Sequence, residues 1–275
     1  MATARSSARG EAGYGMIDLH THVLPALDDG ARNLAESVEI AAMAGRAGVR
    51  TIVATPHIRY DYPFEPAEID ARAADLNREL AAVGVPVDVV PGAEIAQTEI
   101  ARLSDADLRQ LSLGRSGRYL LLETPYRSPG AGALESFVRG LASRGFRVVL
   151  AHPERNVRLL EPAQLDRLIA LGALLQLTAG SLTGDFGGGA RDRAVDLLRQ
   201  GRAHVLGSDS HRADVRPLAL ATVAGSILPN LVTEEECRAI LVERPQAILA
   251  GAEIELPPPT PVRRSLRKRF ALGGR

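Results

Sequence analysis

The chain has a single cysteine, Cys237, no tryptophan, and aromatic residues at only 4% of its length. One cysteine excludes an internal disulfide framework and a thiolate metal site, and it fits a reducing compartment, here expected to be the cytoplasm. Neither sign of charge is in excess, with Lys+Arg and Asp+Glu both at 33, so a nucleic-acid partner is not expected. No apolar run reaches the length of a membrane span. The first fifteen residues, MATARSSARGEAGYG, lack the apolar stretch of a secretory signal and are expected to form a flexible extension, residues 1–15. At the other end, residues 257–275 are Pro-rich and then basic, five of the seven positions from Arg263 to Arg269 being Arg or Lys. Such a run is ordinarily solvated; a weak contact with an anionic membrane surface is the sharper expectation.

Between these tails, residues 16–256 alternate short apolar runs with longer segments of helical periodicity. The runs are MIDL (16–19), TIVA (51–54), VDVV (87–90), YLLL (119–122), RVVL (147–150), LLQL (174–177) and AHVL (203–206). Asn33 and Glu36 read as a capping box ahead of a helix over 38–47 that Gly48 closes. Further helices are expected near 66–83, 131–144, 162–171 and 190–200. Seven such units without a linker predict one α/β domain with a mostly parallel sheet. Periodicity leaves a closed barrel and an open sheet equally open.

Histidine is scarce too, at six residues, yet five of the six follow directly on these runs. Asp18, His20 and His22 belong to the first. ATPH ends in His57, VDVVPGAE in Glu94, YLLLE in Glu123, RVVLAH in His152, and AHVLGSDSH in Asp209 and His211. In a parallel α/β fold all strand C-termini share one face, where sites are built. These residues should therefore converge. Imidazoles and carboxylates without thiolate suit manganese, iron or zinc. His20 and His22, two apart on an extended chain, can reach one ion. The ligand number exceeds what one ion needs, so two or three divalent ions are expected, with Glu94 and Glu123 as bridges. His57 alone would be read as structural, and His204, inside its strand, is read as a packed histidine.

DLHTH, ATPH, GAE, LLLETP, AHPER and SDSH, in this order, resemble the polymerase and histidinol phosphatase (PHP) metallohydrolase superfamily. LPALDDG and AHPERN make the sequence most similar to its bacterial tyrosine-protein phosphatase branch, found in capsule and exopolysaccharide operons. The resemblance spans residues 16–250. It implies a PHP-type distorted (β/α)7 barrel, a single domain, and a three-metal site, with Mn2+ first and Fe or Zn as alternatives. It implies that His20, His22, Glu94 and Asp209 hold one ion, Glu94, Glu123 and His152 another, and His57 and His211 a third, helped by Asp28 or solvent. Asp18 would orient a histidine ligand from behind. Arg155 and Arg216 would bind the phosphoryl group, as a guanidinium fork suits its oxygens. Thr124 departs from the branch, which commonly carries an aromatic or apolar residue there.

The activity implied is hydrolysis of phosphotyrosine on the tail of a membrane-attached bacterial tyrosine kinase. Another PHP phosphoesterase acting on histidinol phosphate or a nucleotide, and a non-catalytic metal-binding scaffold, are the alternatives. A cysteine phosphatase is excluded, since Cys237 opens CRAILVER and position +6 is Glu243, not arginine.

Overall fold

The computed structural model describes residues 15–63, 65–124, 132–156, 161–212 and 219–256. Residues 1–14 of the first tail and the whole of the second, 257–275, lie outside the described residues, and so does Arg216.

The first apolar run forms β1 (Met16–Thr21), buried along its whole length. It pairs in parallel with β2 (Val49–Ala54), which pairs with β4 (Asp88–Pro91). A second parallel sheet runs β3 (His57–Ile58), β5 (Glu94–Ala96), β6 (Tyr119–Glu123), β7 (Arg147–Ala151), β8 (Leu174–Thr178) and β9 (Val205–Gly207). The sheets are parts of one ring, because β3 continues β2 and β5 continues β4. The break in the first falls at Pro56, which has no N–H for the ladder. The backbone links across it are Gly92 N to Ala54 O and Glu94 N to Pro56 O, at 2.9 and 3.1 Å. The ring returns to β1 through a parallel bridge between Thr21 and Ser210. Asp209 N donates to His20 O and His22 N to Ser210 O, both at 2.8 Å. The expected α/β barrel thus takes the form of seven parallel strands, two of them interrupted.

Strand side chains alternate between two cores, as a pleat requires. Tyr119, Leu121, Val149, Ala151, Leu174 and Val205 fill the inside of the ring with Ile17 and Leu19. Leu120, Leu122, Val148, Leu150, Leu175 and Leu206 face outward onto the helices. Leu113 and Ile248 pack against the inner set, and Tyr119 Oη donates to Ala252 O at 2.6 Å. The inward positions continue to Glu123, Gln176 and Gly207. One parity of the pleat therefore carries apolar filling and then polar function.

The helices of the outer layer are α1 (Leu34–Arg46), α2 (Pro66–Ala82), α3 (Asp105–Leu111), α4 (Ala133–Ser143), α5 (Pro162–Ala170), α6 (Ala179–Thr183) and α7 (Gly188–Arg199). Asn33 does cap α1, accepting from Glu36 N at 3.0 Å. The Glu36 carboxylate, however, turns to Arg32 N and its guanidinium rather than back to Asn33. A stronger cationic partner four residues earlier wins it. The helices α3 and α6 escape the periodicity because each is shorter than two full turns of pattern. No helix among the described residues is long and apolar enough to cross a membrane.

Gly207 is where β9 comes closest to β1: an added Cβ would stand 2.6 Å from His20 Cβ and 2.8 Å from Gln176 Nε2. The Gly207→Ala substitution is expected to destabilise the fold by about 1–3 kcal/mol through overpacking. A lowered urea midpoint with unchanged slope checks this.

Candidate metal centre

The stitch between β1 and β9 sets His20 and His22 beside Asp209 and His211. Two residues here hold left-handed backbone without being glycine, His152 at φ 34° and Asp209 at φ 52°. Each such conformation costs on the order of 1–3 kcal/mol and persists where surroundings enforce it. Both turn a side chain from a strand end back over the ring. The LPALDDG turn folds over His22, and Gly30 is needed there, because a Cβ would come within 2.1 Å of His22 O. Parallel register does the rest, pairing His57 with Glu94 and Ala96 with Glu123.

Five imidazoles converge as a result. His20 Nε2 and His22 Nε2 face each other at 3.2 Å. The buried Glu94 Oε2 lies 3.0 Å from His57 Nδ1, 3.3 Å from His20 Nε2 and 3.5 Å from His22 Nε2. Asp209 Oδ1 lies 3.4 and 3.5 Å from the same two Nε2 atoms. His152 Nε2 meets Glu94 Oε1 at 3.0 Å. His57 reaches Asp29 with its other nitrogen, at 3.6 Å, and His211 Nε2 reaches Asp29 at 3.3 Å. Four overlapping sets could hold a cation: His20, His22 and Asp209; His20, Glu94 and His152; His57, Glu94 and Glu123; and His22, Asp29, His57 and His211.

The residues fit such ions. Two ligand atoms each about 2.1 Å from one cation stand about 3.0–3.4 Å apart at right or tetrahedral angles, which is the spacing seen here. Glu94 Oε2 is wholly buried and makes no well-formed hydrogen bond despite its three imidazole neighbours. Atoms aimed at a common point rather than at one another are arranged as ligands.

The other ring nitrogens of His20, His22 and His211 are spoken for. His22 Nδ1 meets Asp28 Oδ2 at 2.6 Å, and the same oxygen accepts from His57 N at 2.9 Å. His20 Nδ1 meets Gln176 Oε1 at 3.0 Å, and His211 Nδ1 meets Asp209 O at 3.0 Å. Partners of this kind fix the tautomer and leave Nε2 to ligate. Asp28 therefore stands behind its histidine, and it is Asp29 that faces His57 and His211. Asp18 accepts from the backbone of His20 and Ser208 at 3.3 and 2.9 Å. It braces the strand pair, while the His20 ring is held by Gln176. The sets overlap those the resemblance implies: Glu94 Oε2 lies within 3.5 Å of His20 and His22 Nε2, and Glu123 Oε2 lies 3.9 Å from His57 Nδ1. His204 is buried with Nδ1 accepting from Leu175 N at 2.8 Å, and burial pushes its pKa down to about 3.

Burial opposes charge on His20 and His22, but Glu94 and Asp209 around the first and Asp28 and Asp209 around the second outweigh it and raise both pKa values. Burial likewise works against the Glu94 and Asp209 carboxylates, which the facing imidazoles nevertheless hold well below the usual range. Asp29 is lowered in the same way by His211.

Arg155 ends the short 3-10 turn Pro153–Arg155 and donates to Asp209 Oδ2 at 2.5 Å. Its guanidinium lies 4.3 Å over the Phe186 ring. Glu154 anchors this turn from below, its Oε1 accepting from Thr178 N at 2.9 Å and Ser181 Oγ at 2.7 Å. Sequence reasoning passed over Asp29, Gln176 and Glu154. A glutamine within the apolar run LLQL was the one legible signal among them, since a polar side chain in a buried strand needs a partner.

Two outcomes are expected. Histidines with raised folded pKa values stabilise the metal-free fold below about pH 6.5 and lose that contribution as pH rises through the folded values. Chelator-treated protein should therefore lose thermal stability from pH 6.5 to pH 9, and metal-loaded protein should not. The Asp28→Asn substitution should weaken divalent-ion affinity about 10–100-fold, read by competition with a chromophoric chelator.

The family model for capsular polysaccharide synthesis, CpsB/CapC, matches residues 16–250. The chain is 38% identical over 265 residues to the tyrosine-protein phosphatase YwqE of Bacillus subtilis, covering 93% of this chain and 99% of that one. A crystal structure from the pair YwqE of Bacillus subtilis and CpsB of Streptococcus pneumoniae, described as metal-dependent tyrosine phosphatases, superposes with a TM-score of 0.77 at 36% identity. It covers 90% of this chain and 100% of that chain. The phosphotriesterase of Mycobacterium tuberculosis matches with a TM-score of 0.53 at 17% identity over 86% of this chain and 94% of its own, a likeness of fold alone. The chain belongs to the CpsB/CapC family of capsular polysaccharide synthesis.

Proposed function

We propose that this chain is a metal-dependent protein-tyrosine phosphatase. The observation that carries the reading is the convergence of five imidazoles and the Asp29, Glu94, Glu123 and Asp209 carboxylates with the Arg155 guanidinium beside them. Its relatives YwqE and CpsB bear the same activity in their names. The ligands are His20, His22, Asp29, His57, Glu94, Glu123, His152, Asp209 and His211, and the ions are two or three in number, with Mn2+ as the leading candidate. Bound there, divalent ions lower the pKa of water towards neutrality and neutralise phosphoryl charge.

The chain's own residues do the rest. Arg155, aligned by Asp209 and Phe186, presents its fork to the equatorial oxygens, where charge is to be stabilised. Asp28 and Gln176 keep the His22 and His20 rings from rotating. The oxygen of water bonds to phosphorus as the phosphorus–phenol oxygen bond breaks, releasing phosphate and tyrosine. A phenol with pKa about 10 leaves with little help from an acid. Cys237 takes no part: burial and two neighbouring glutamates push its thiol up.

The physiological substrate we propose is the phosphotyrosine-bearing tail of a membrane-attached bacterial tyrosine kinase, met in the cytoplasm. The basic residues 263–269 would add a weak contact with the membrane surface, and Arg216 would be a second phosphoryl ligand. Hydrolysis of a phosphotyrosyl peptide, histidinol phosphate and a nucleotide should be measured side by side with Mn2+-loaded protein. The peptide should be preferred, and a stronger preference for either small molecule would overturn the reading. The Arg155→Ala substitution should lower kcat about 10²–10³-fold with the bound-metal content unchanged.

A further inference from the structure

The chain leaving β3 makes a tight turn that the metal chemistry does not use. Tyr62 N donates to Arg59 O at 2.9 Å, closing the turn. Arg59 pairs with Asp61 through two hydrogen bonds of 2.6 and 2.9 Å. Its guanidinium lies 5.1 Å over the Tyr62 ring, and that ring stacks on His57 with planes 11° apart and centroids 5.8 Å apart. The turn is therefore clamped onto a residue of the metal centre. At its tip Tyr60 stands 78% exposed, the most exposed of the large hydrophobic side chains among the described residues. Nothing in the packing of the described residues calls for an aromatic ring there.

A cleft of about 260 Å³ lies between this tip and the strand ends, lined by Arg59, Tyr60, Ala96, Gln97, Thr98, Glu123 and Thr124. Glu123 belongs both to this wall and to the set formed with His57 and Glu94, so the cleft opens directly onto the place where a phosphoryl group would be held. It falls below the roughly 300–1,000 Å³ of sites for whole small ligands, a size for one side chain and its adjoining backbone. Gln97 Oε1, on the same wall, is buried without a hydrogen-bond partner among the described residues. A lone buried acceptor is costly unless a ligand donor satisfies it.

We propose that this cleft is the subsite for the tyrosyl side chain and the peptide around it, with Tyr60 as the residue that selects an aryl phosphoester. The phosphoryl group sits at the centre, the phenyl ring lies in the cleft against Tyr60, and a backbone N–H of the peptide donates to Gln97 Oε1. Offset stacking of rings adds to simple burial, and the clamp on the turn spares the ordering cost of binding. Thr124, whose hydroxyl accepts from Asn156 Nδ2 at 3.2 Å, adds a polar group to the lining. The inference rests on the phosphatase reading above.

The test uses full-length protein loaded with Mn2+, as wild type, Tyr60→Ala and Tyr60→Trp. KM for a phosphotyrosyl peptide and the inhibition constant of inorganic phosphate, which occupies the phosphoryl position without a ring, are measured for each. The Tyr60→Ala substitution should raise KM about tenfold, leave the phosphate constant within about twofold, and keep the manganese content by elemental analysis; Tyr60→Trp should restore KM. A KM that does not move in Tyr60→Ala, or one that moves together with the phosphate constant, overturns the subsite while the phosphatase reading stands. Wild-type protein that hydrolyses no phosphotyrosyl peptide overturns both.

Discussion

The Glu94 carboxylate is the constraint around which the rest of the centre is arranged. It is wholly buried, four imidazoles surround it, and one of its oxygens has no hydrogen bond to satisfy it. A charge so placed is expensive unless a cation neutralises it. In the metal-free chain the facing carboxylates favour positive charge on His20 and His22 and so raise their pKa values. Divalent ions would supply the same charge without occupying the imidazole nitrogens with hydrogen. Asp28 and Gln176 make sense in this light, since both hold the nitrogen that faces away from the centre and leave the inward one to bind.

The barrel contributes geometry rather than chemistry. Its parallel strands bring seven sequence segments to one rim, and the link between β1 and β9 closes the rim where His20 and His22 meet Asp209 and His211. Closure is bought with close approach: Gly207 leaves no room for a side chain beside His20. The left-handed backbone of His152 and Asp209 adds strain at the two places where a strand end must double back. Strain of this kind is tolerable because the core on both faces of the sheet is well filled.

Much of this was legible in the sequence. Seven apolar runs marked the seven strands of the ring, six of them ending in histidine or a carboxylate, and the parallel fold then required their ends to meet. What escaped was whatever depends on turn geometry. Asp28 and Asp29 are adjacent acids in one turn, and nothing in their spacing tells which oxygen faces His22 and which faces His211. Only the path of the LPALDDG turn, fixed by Gly30, decides it. Gln176 was hidden in an apolar run, and Glu154 beside a more conspicuous arginine. The interruption of two strands at Pro56 and Gly92 was likewise unreadable as a barrel, because periodicity describes one strand at a time and not the ring it joins.

The clamped turn at Tyr60 extends the same logic outward, since it is held against His57 and so reports on the centre's position. The function of the centre depends on cations occupying the space that Glu94 and its imidazoles define. Anomalous diffraction from crystals soaked in Mn2+ measures that directly. At least two anomalous peaks are expected, one within ligand distance of His20, His22, Glu94 and Asp209 and another beside Asp29, His57 and His211. Crystals that diffract well and show no peak among these residues would contradict that expectation.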